Sequence, residues 1–157
     1  VTSGLSKACS LPGLRIGWIV GPETFVASTW ATHDYTTIAP GAVNDFLATI
    51  ALRPDRRAAI LARTRRILRA NWATVESWFS AHQKLFSFAP PEAGAIVMAR
   101  YHRPVNSTVL TTRLREEKGV LIVPGDQFGM DGYLRIGFGG DPAQLAEGLA
   151  RLRELLA

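Results

Sequence analysis

The sequence predicts an α/β protein, and three observations carry that expectation. A short apolar run at 16–20 follows a Pro-Gly turn and ends at Gly21-Pro22, as a strand does. An amphipathic helical repeat then runs unbroken from Asp55 to about Ala81. Beyond it, strand-like and helix-like segments alternate to the end of the chain.

Taken in order, residues 22–32 read as a short helix opening near Pro22-Glu23, followed by a polar, turn-rich loop from His33 to Gly41. Small and apolar residues at 42–52 predict a second helix, stopped by Pro54. In the long helix, Leu61, Leu68, Trp72, Val75 and Phe79 recur at steps of seven, four, three and four, which places them along one face. At 1.5 Å per residue that helix spans roughly 40 Å, enough to bridge two domains. Strands are expected at 85–88 and, after Pro90-Pro91-Glu92-Ala93-Gly94, at 95–100. Ser107 is the expected N-cap of a helix ending at Lys118, with Gly119 as its C-terminal stop. Two more strands, 120–123 and 133–138, precede a helix that Asp141-Pro142 caps and that runs through Leu156. Leu145, Leu149, Leu152 and Leu156 give that helix its apolar face, so the residues after about 83 should form a compact α/β sandwich.

The 157 residues, 47% apolar and 20% charged, suit a folded globular protein. No apolar run reaches membrane-spanning length and no signal-peptide pattern opens the chain, so no membrane partner is expected. Cys9 is the only cysteine; it can form neither an internal disulfide nor, with three scattered histidines, a zinc cluster. No metal is expected, and the expected compartment is the cytoplasm. His33, His82 and His102 read as surface or capping residues. A net charge of +5, with seven arginines between Arg53 and Arg69, raises the question of nucleic acid. Those arginines fall on the polar side of the amphipathic helix and lack interleaved aromatics, so they read as a solvated face with no nucleic-acid partner.

Lysine is scarce, at three residues against fifteen arginines, and Lys7 is unusually placed. It stands in Gly4-Leu5-Ser6-Lys7-Ala8-Cys9-Ser10-Leu11-Pro12-Gly13-Leu14-Arg15-Ile16-Gly17-Trp18, among small and apolar residues. Burial and nearby positive charge both disfavour an ammonium, and a neutral amine can attack an aldehyde. A guanidinium at the start of the following strand can meet phosphate oxygens in a two-pronged contact.

This stretch resembles the cofactor-lysine segment of fold-type I pyridoxal-phosphate enzymes, the class I/II aminotransferases, which reads roughly S-x-S-K-x-x-G-L-P-G-L-R-x-G-W. The resemblance implies that Lys7 forms a Schiff base with pyridoxal 5′-phosphate and shuttles a proton on the substrate, and that Arg15 grips the cofactor phosphate with Ser6 in support. Two departures stand out. Gly4 replaces a serine that often binds phosphate, with Ser3 close enough to serve instead, and Cys9-Ser10 replaces the usual aromatic-glycine pair. The implied fold is the aminotransferase fold of three-layer type without its N-terminal part. Residues 1–54 would end the large cofactor-binding domain, 55–82 form the interdomain helix, and 83–157 make a small C-terminal α/β domain. The phosphate loop, ring-stacking aromatic and ring-pairing aspartate that the family carries upstream are not found. The chain is therefore expected to be a C-terminal fragment, inactive by itself, whose exposed domain face promotes association.

Arg135 lies in Tyr133-Leu134-Arg135-Ile136-Gly137-Phe138-Gly139, inside a predicted strand. A buried arginine needs an anionic or dipolar partner. A structural salt bridge to Glu92 or Asp126 is one reading. In the resembled family the arginine of an R-I/L-x-F/A setting holds the substrate α-carboxylate, and the resemblance assigns Arg135 that role. Gly119-Val120-Leu121-Ile122-Val123-Pro124-Gly125-Asp126-Gln127-Phe128-Gly129 resembles the family's G-V-x-V-x-P-G-x-x-F-G segment, which implies a turn back toward the active site. Gly94 resembles a position that leaves room for substrate. Tyr35-Thr36-Thr37 stands where the resembled dimeric enzymes have a loop that reaches the neighbouring subunit's cofactor site; its hydroxyls read either as donors to phosphate there or as a solvated loop, and the resemblance implies a homodimer. The expected function is transfer of an amino group between an amino acid and a 2-oxo acid. The alternatives are a lyase, decarboxylase or amino-acid cyclase on the same fold, or the ligand-sensing domain of a transcription regulator.

Overall fold

A computed structural model describes residues 1–156. The chain divides inside its longest helix into two compact units, Val1–Arg66 and Ile67–Ala157, each with its own core.

In the first unit, β1 (Thr2–Gly4) pairs antiparallel with β2 (Gly17–Ile19), in the register Thr2↔Ile19, Ser3↔Trp18 and Gly4↔Gly17. The predicted strand at 16–20 thus survives as its three central residues. Helices α1 (Glu23–His33) and α2 (Ala42–Leu52) follow, then the first turns of α3 (Pro54–Ala81). Pro54 does more than stop α2. It is the first residue of α3, where its fixed φ and missing N–H cost nothing. Leu5, Cys9 and Ala48 form the buried cluster, with Leu11, Leu14, Ile16, Ile60 and Leu61 packed on it. Helix α1 buries no residue at all.

The second unit contains the rest of α3, then β3 (Phe86–Phe88), β4 (Ile96–Tyr101), α4 (Ser107–Lys118), β5 (Val123–Pro124), β6 (Tyr133–Gly137) and α5 (Pro142–Leu156). Its sheet is antiparallel throughout, in the order β3-β4-β6-β5. The pairs Val97↔Ile136 and Ala99↔Leu134 point into the core, where they meet Val75, Phe79, Leu110, Leu114, Leu149 and Leu152 of the helices. The alternate residues Met98, Tyr133 and Arg135 lie on the other face and are half-buried. Helices on one face of a sheet are the expected sandwich. Asn71 is buried, and its Nδ2 donates to the carbonyls of Phe138 (2.8 Å) and Gly140 (2.9 Å), so both amide protons are satisfied.

Three expectations change. The predicted stripe on α3 is one face, but it serves two cores: Leu61 packs in the first unit, while Leu68, Trp72, Val75 and Phe79 pack in the second. The cap of α4 is Asn106, whose side chain accepts from the amides of Thr108 and Val109; Ser107 is instead the first helical residue and fully buried. The strand expected at 120–123 is only Val123–Pro124, because the Val120 amide turns back to the Leu114 carbonyl and closes the end of α4. Gly119 ends α4 with φ 64°, as its position predicts. His82 takes the capping role among the two expected for it: half-buried, it stacks on Trp78 with its Nδ1 2.7 Å from the Trp78 carbonyl in the last turn of α3.

Candidate functional site

Residues 5–16 leave β1 and return into β2, closed at the base by the Leu5 amide donating to the Ile16 carbonyl at 3.1 Å. Buried Leu5 and Cys9 pin this excursion to Ala48. Between them the chain turns outward, and the Ser10 amide donates to the Lys7 carbonyl at 3.0 Å. Ser10 takes a left-handed φ of 54°, and a 3-10 turn at Pro12–Leu14 follows. Arg15 is also left-handed, with φ 53°, and its Nη1 donates to the Pro12 carbonyl at 3.1 Å. A non-glycine residue held there costs of order 1–3 kcal/mol, so the surrounding turn over-determines the point where Arg15 enters β2.

Gly4 and Gly17 face each other across the two strands. A Cβ on Gly4 would meet the Ile16 carbonyl oxygen at 3.0 Å, and one on Gly17 would meet that of Ser3 at 3.0 Å. A side chain at either position would therefore press tightly on the facing strand, and Gly4 lets the two backbones approach without that strain. Beside the pair lies a hollow of about 340 Å³, lined by Ser3, Gly4, Ser6, Lys7, Arg15 and Gly17 among others. Two cations and two hydroxyls line it and no carboxylate does, so it is receptive to an anion. Lys7, Ser6 and Arg15 are therefore brought together, with Ser3 beside them. One expectation fails: Lys7 is exposed in this chain rather than buried, because the turn sends Leu5 and Cys9 inward and the residues between them outward.

Arg135 sits in the second unit, in register with Met98 on one side and Val123 on the other. It lines a hollow of about 300 Å³ with Val123, Gly137, Asp141 and Gln144 among its neighbours. The salt bridge to Glu92 or Asp126 does not form; among the described residues Arg135 has no ion pair, and Asp126 is taken by Thr108 and Asn106. The guanidinium carbon lies 6.0 Å from the centre of the Phe128 ring instead.

Sequence reasoning passed over Phe128 as a functional residue, along with the bonds that hold its loop. The Asp126 carboxylate accepts from Thr108 Oγ1 (2.6 and 2.8 Å) and Asn106 Nδ2 (3.2 Å), and Ser107 Oγ accepts from the Asp126 amide (3.0 Å). Asp131 Oδ1 accepts from the amides of Ser107 (2.7 Å) and Gly132 (2.9 Å). The Thr108 hydroxyl above all holds the Asp126 carboxyl below its ordinary range, and the Ser107 amide does the same for Asp131. The run Asn106-Ser107-Thr108, three capping residues where one suffices, was the available signal. No group of residues fit to hold a metal ion occurs among the described residues, and no helix there is long and apolar enough to cross a membrane.

The family model described as aminotransferase class I and II matches residues 1–152. The chain is 33% identical to capreomycidine synthase of Streptomyces vinaceus, over 97% of this chain and 39% of that protein. It is 27% identical to an aspartate aminotransferase of Streptomyces avermitilis, over 100% of this chain and 40% of the other. Among solved structures it is similar to a PLP-dependent aminotransferase from Streptococcus suis 89-1591, with TM-score 0.92 and 34% identity over 99% of this chain and 41% of that one. It is also similar to the PLP-dependent cyclase OrfR, with TM-score 0.90 and 29% identity over 99% and 42%. The chain thus spans about two-fifths of the length of these relatives.

Proposed function

From the premise that this chain belongs to the class I and II aminotransferases, a family of pyridoxal-phosphate-dependent enzymes, we propose that it carries the cofactor-lysine half of an aminotransferase active site. The observation that carries this reading is the shared hollow of Lys7, Ser6 and Arg15. The residues fit the group: an amine for its aldehyde, and a guanidinium and hydroxyls for its phosphate, around one hollow of about 340 Å³.

When bound, pyridoxal phosphate supplies an aldehyde for covalent attachment and a ring that accepts electrons. Arg15, with its left-handed backbone and its bond to Pro12, would hold the phosphate through its remaining guanidinium donors, with the Ser6 hydroxyl in support. Lys7 Nζ is the group that would hold the aldehyde carbon, and the same amine, when free, would take and return the proton of the substrate α-carbon. Arg135 offers a planar fork to the substrate carboxylate and orients it. Substrates of the whole protein are an amino acid and a 2-oxo acid, and it acts as a homodimer.

The test is covalent labelling. Pyridoxal phosphate trapped with borohydride should mark the Lys7 peptide, and Lys7→Ala should abolish the mark; a label of equal yield in that variant overturns the assignment. Arg15→Ala should weaken binding of pyridoxal phosphate about tenfold to a hundredfold while leaving that of unphosphorylated pyridoxal unchanged. The names of the capreomycidine synthase and cyclase relatives support a second reading, an amino-acid cyclase on the same fold. Product analysis separates the two: turnover that needs a 2-oxo acid acceptor supports transamination, and turnover without one supports the cyclase.

A further inference from the structure

The segment from Gly125 to Gly132 is built more rigidly than a connection between β5 and β6 requires. At Gly125 a Cβ would lie 2.2 Å from the Met130 carbonyl oxygen and 2.6 Å from that of Tyr133, so no side chain fits. Within the loop the Gly129 and Met130 amides donate back to Asp126 and Gly125, both at 2.9 Å, and Gly129 and Gly132 hold left-handed φ values of 69° and 82°. The first residues of α4 then grip it from outside, through Thr108 and Asn106 on the Asp126 carboxylate and the Ser107 amide on Asp131.

Of the loop's exposed large apolar side chains, Phe128 and Met130, it is Phe128 that lies beside Arg135. Phe128 is 54% exposed, which makes it a poor contributor to the core. Its ring faces Arg135, a guanidinium on a strand interior with Met98 and Val123 beside it in register. Arginine has many rotamers, and a carboxylate gains a two-pronged contact only if the fork is already aimed. A ring face near the guanidinium attracts it and removes part of that freedom. We propose that Phe128 positions the Arg135 guanidinium for a carboxylate, and that Asp126, tied to the first turn of α4, holds Phe128 in place. This rests on the reading of Arg135 as the carboxylate-binding group. Phe128 and Asp126 are positioning residues, acting through Arg135.

The experiment uses the full chain labelled with nitrogen-15, with two readouts: the Arg135 Nε–Hε resonance, and the affinity for 2-oxoisovalerate measured by titration. The ring should shift the Arg135 resonance away from the value of a free arginine side chain. Phe128→Leu should abolish that shift and weaken 2-oxoisovalerate about threefold, whereas Phe128→Tyr, which keeps the ring, should restore both. Asp126→Ala should act like Phe128→Leu. Thr108→Val, which removes only a hydroxyl, gives the same information if Asp126→Ala does not fold. Loss of binding in Arg135→Gln together with unchanged resonance and affinity in Phe128→Leu overturns the positioning role alone. Unchanged affinity in Arg135→Gln overturns the carboxylate reading beneath it. An unshifted Arg135 resonance in Thr108→Val, relative to the unsubstituted chain, overturns the role of the Asp126 tie.

Discussion

In the second unit, fourteen buried residues among those described, from three helices, the strands β3, β4 and β6, and Phe138, close into one core, whereas the first unit buries a cluster of three around its lysine turn. Helix α1 buries none, and Phe25, Trp30, Val43 and Phe46 stand more than half exposed. The second unit is held by burial. The first is held by backbone register: two glycines in contact across β1 and β2, two left-handed residues, and a turn closed by Leu5. The proposed cofactor groups all lie in the unit with the smaller core. Geometry there depends on where the main chain goes, so it should be sensitive to small backbone changes and insensitive to distant packing.

Phe79→Ala should give the largest effect, a loss of about 3–5 kcal/mol read from denaturant unfolding of the second unit, since Phe79 is fully buried against Phe86 and Phe88. Leu5→Ala should cost about 2 kcal/mol, the low end for a buried leucine, because half-exposed Leu11, Leu14 and Ile16 can close in. Its mark should be faster exchange of the Leu11 amide; an unchanged rate would mean that register alone holds the turn.

An alkaline titration tests the second unit. Burial, then the nearby Asp131 and Asp126, pushes the Tyr101 phenol from 10.0 up to about 12. A raised folded value means that this contribution is complete below pH 10 and disappears as pH rises through about 12, a loss of at most about 2–3 kcal/mol. Unfolding followed from pH 9 to 12.5 should show it, and Tyr101→Phe should flatten the decline. The smallest effect is expected for Gly4→Ser. It restores the serine that resembles the commoner motif but sets a Cβ 3.0 Å from the Ile16 carbonyl, at a cost of about 1 kcal/mol, visible as faster exchange of the β1 amides. A stabilised variant would show that the two strands can part enough to admit it.

Most helices were legible because their signals are local. The ranges 42–52 and 142–156 follow from apolar spacing and flanking proline or aspartate, and Asp141 does cap α5, accepting from the amides of Ala143 and Gln144. Strands were less legible: β5 shrank to two residues because Val120 was already engaged with Leu114. In the site, the grouping of Lys7, Ser6 and Arg15 was legible through the resemblance of residues 5–18 to the cofactor-lysine segment, but the exposure of Lys7 was not. That depends on which neighbours turn inward, and Cys9, two residues on, does.

Periodicity, caps and the motif that resembles a cofactor-lysine segment are properties of neighbours along the chain, so one-dimensional reading sufficed for the α/β class and, through that resemblance, for the choice of chemical groups. Meetings between distant residues obey no such rule. Gly4 against Gly17, Asp126 on the first turn of α4, Phe128 over Arg135 and the sharing of one α3 stripe between two cores all depend on the path of the backbone in space. That path is set by the cooperative burial of many side chains at once, and no short stretch of residues encodes it.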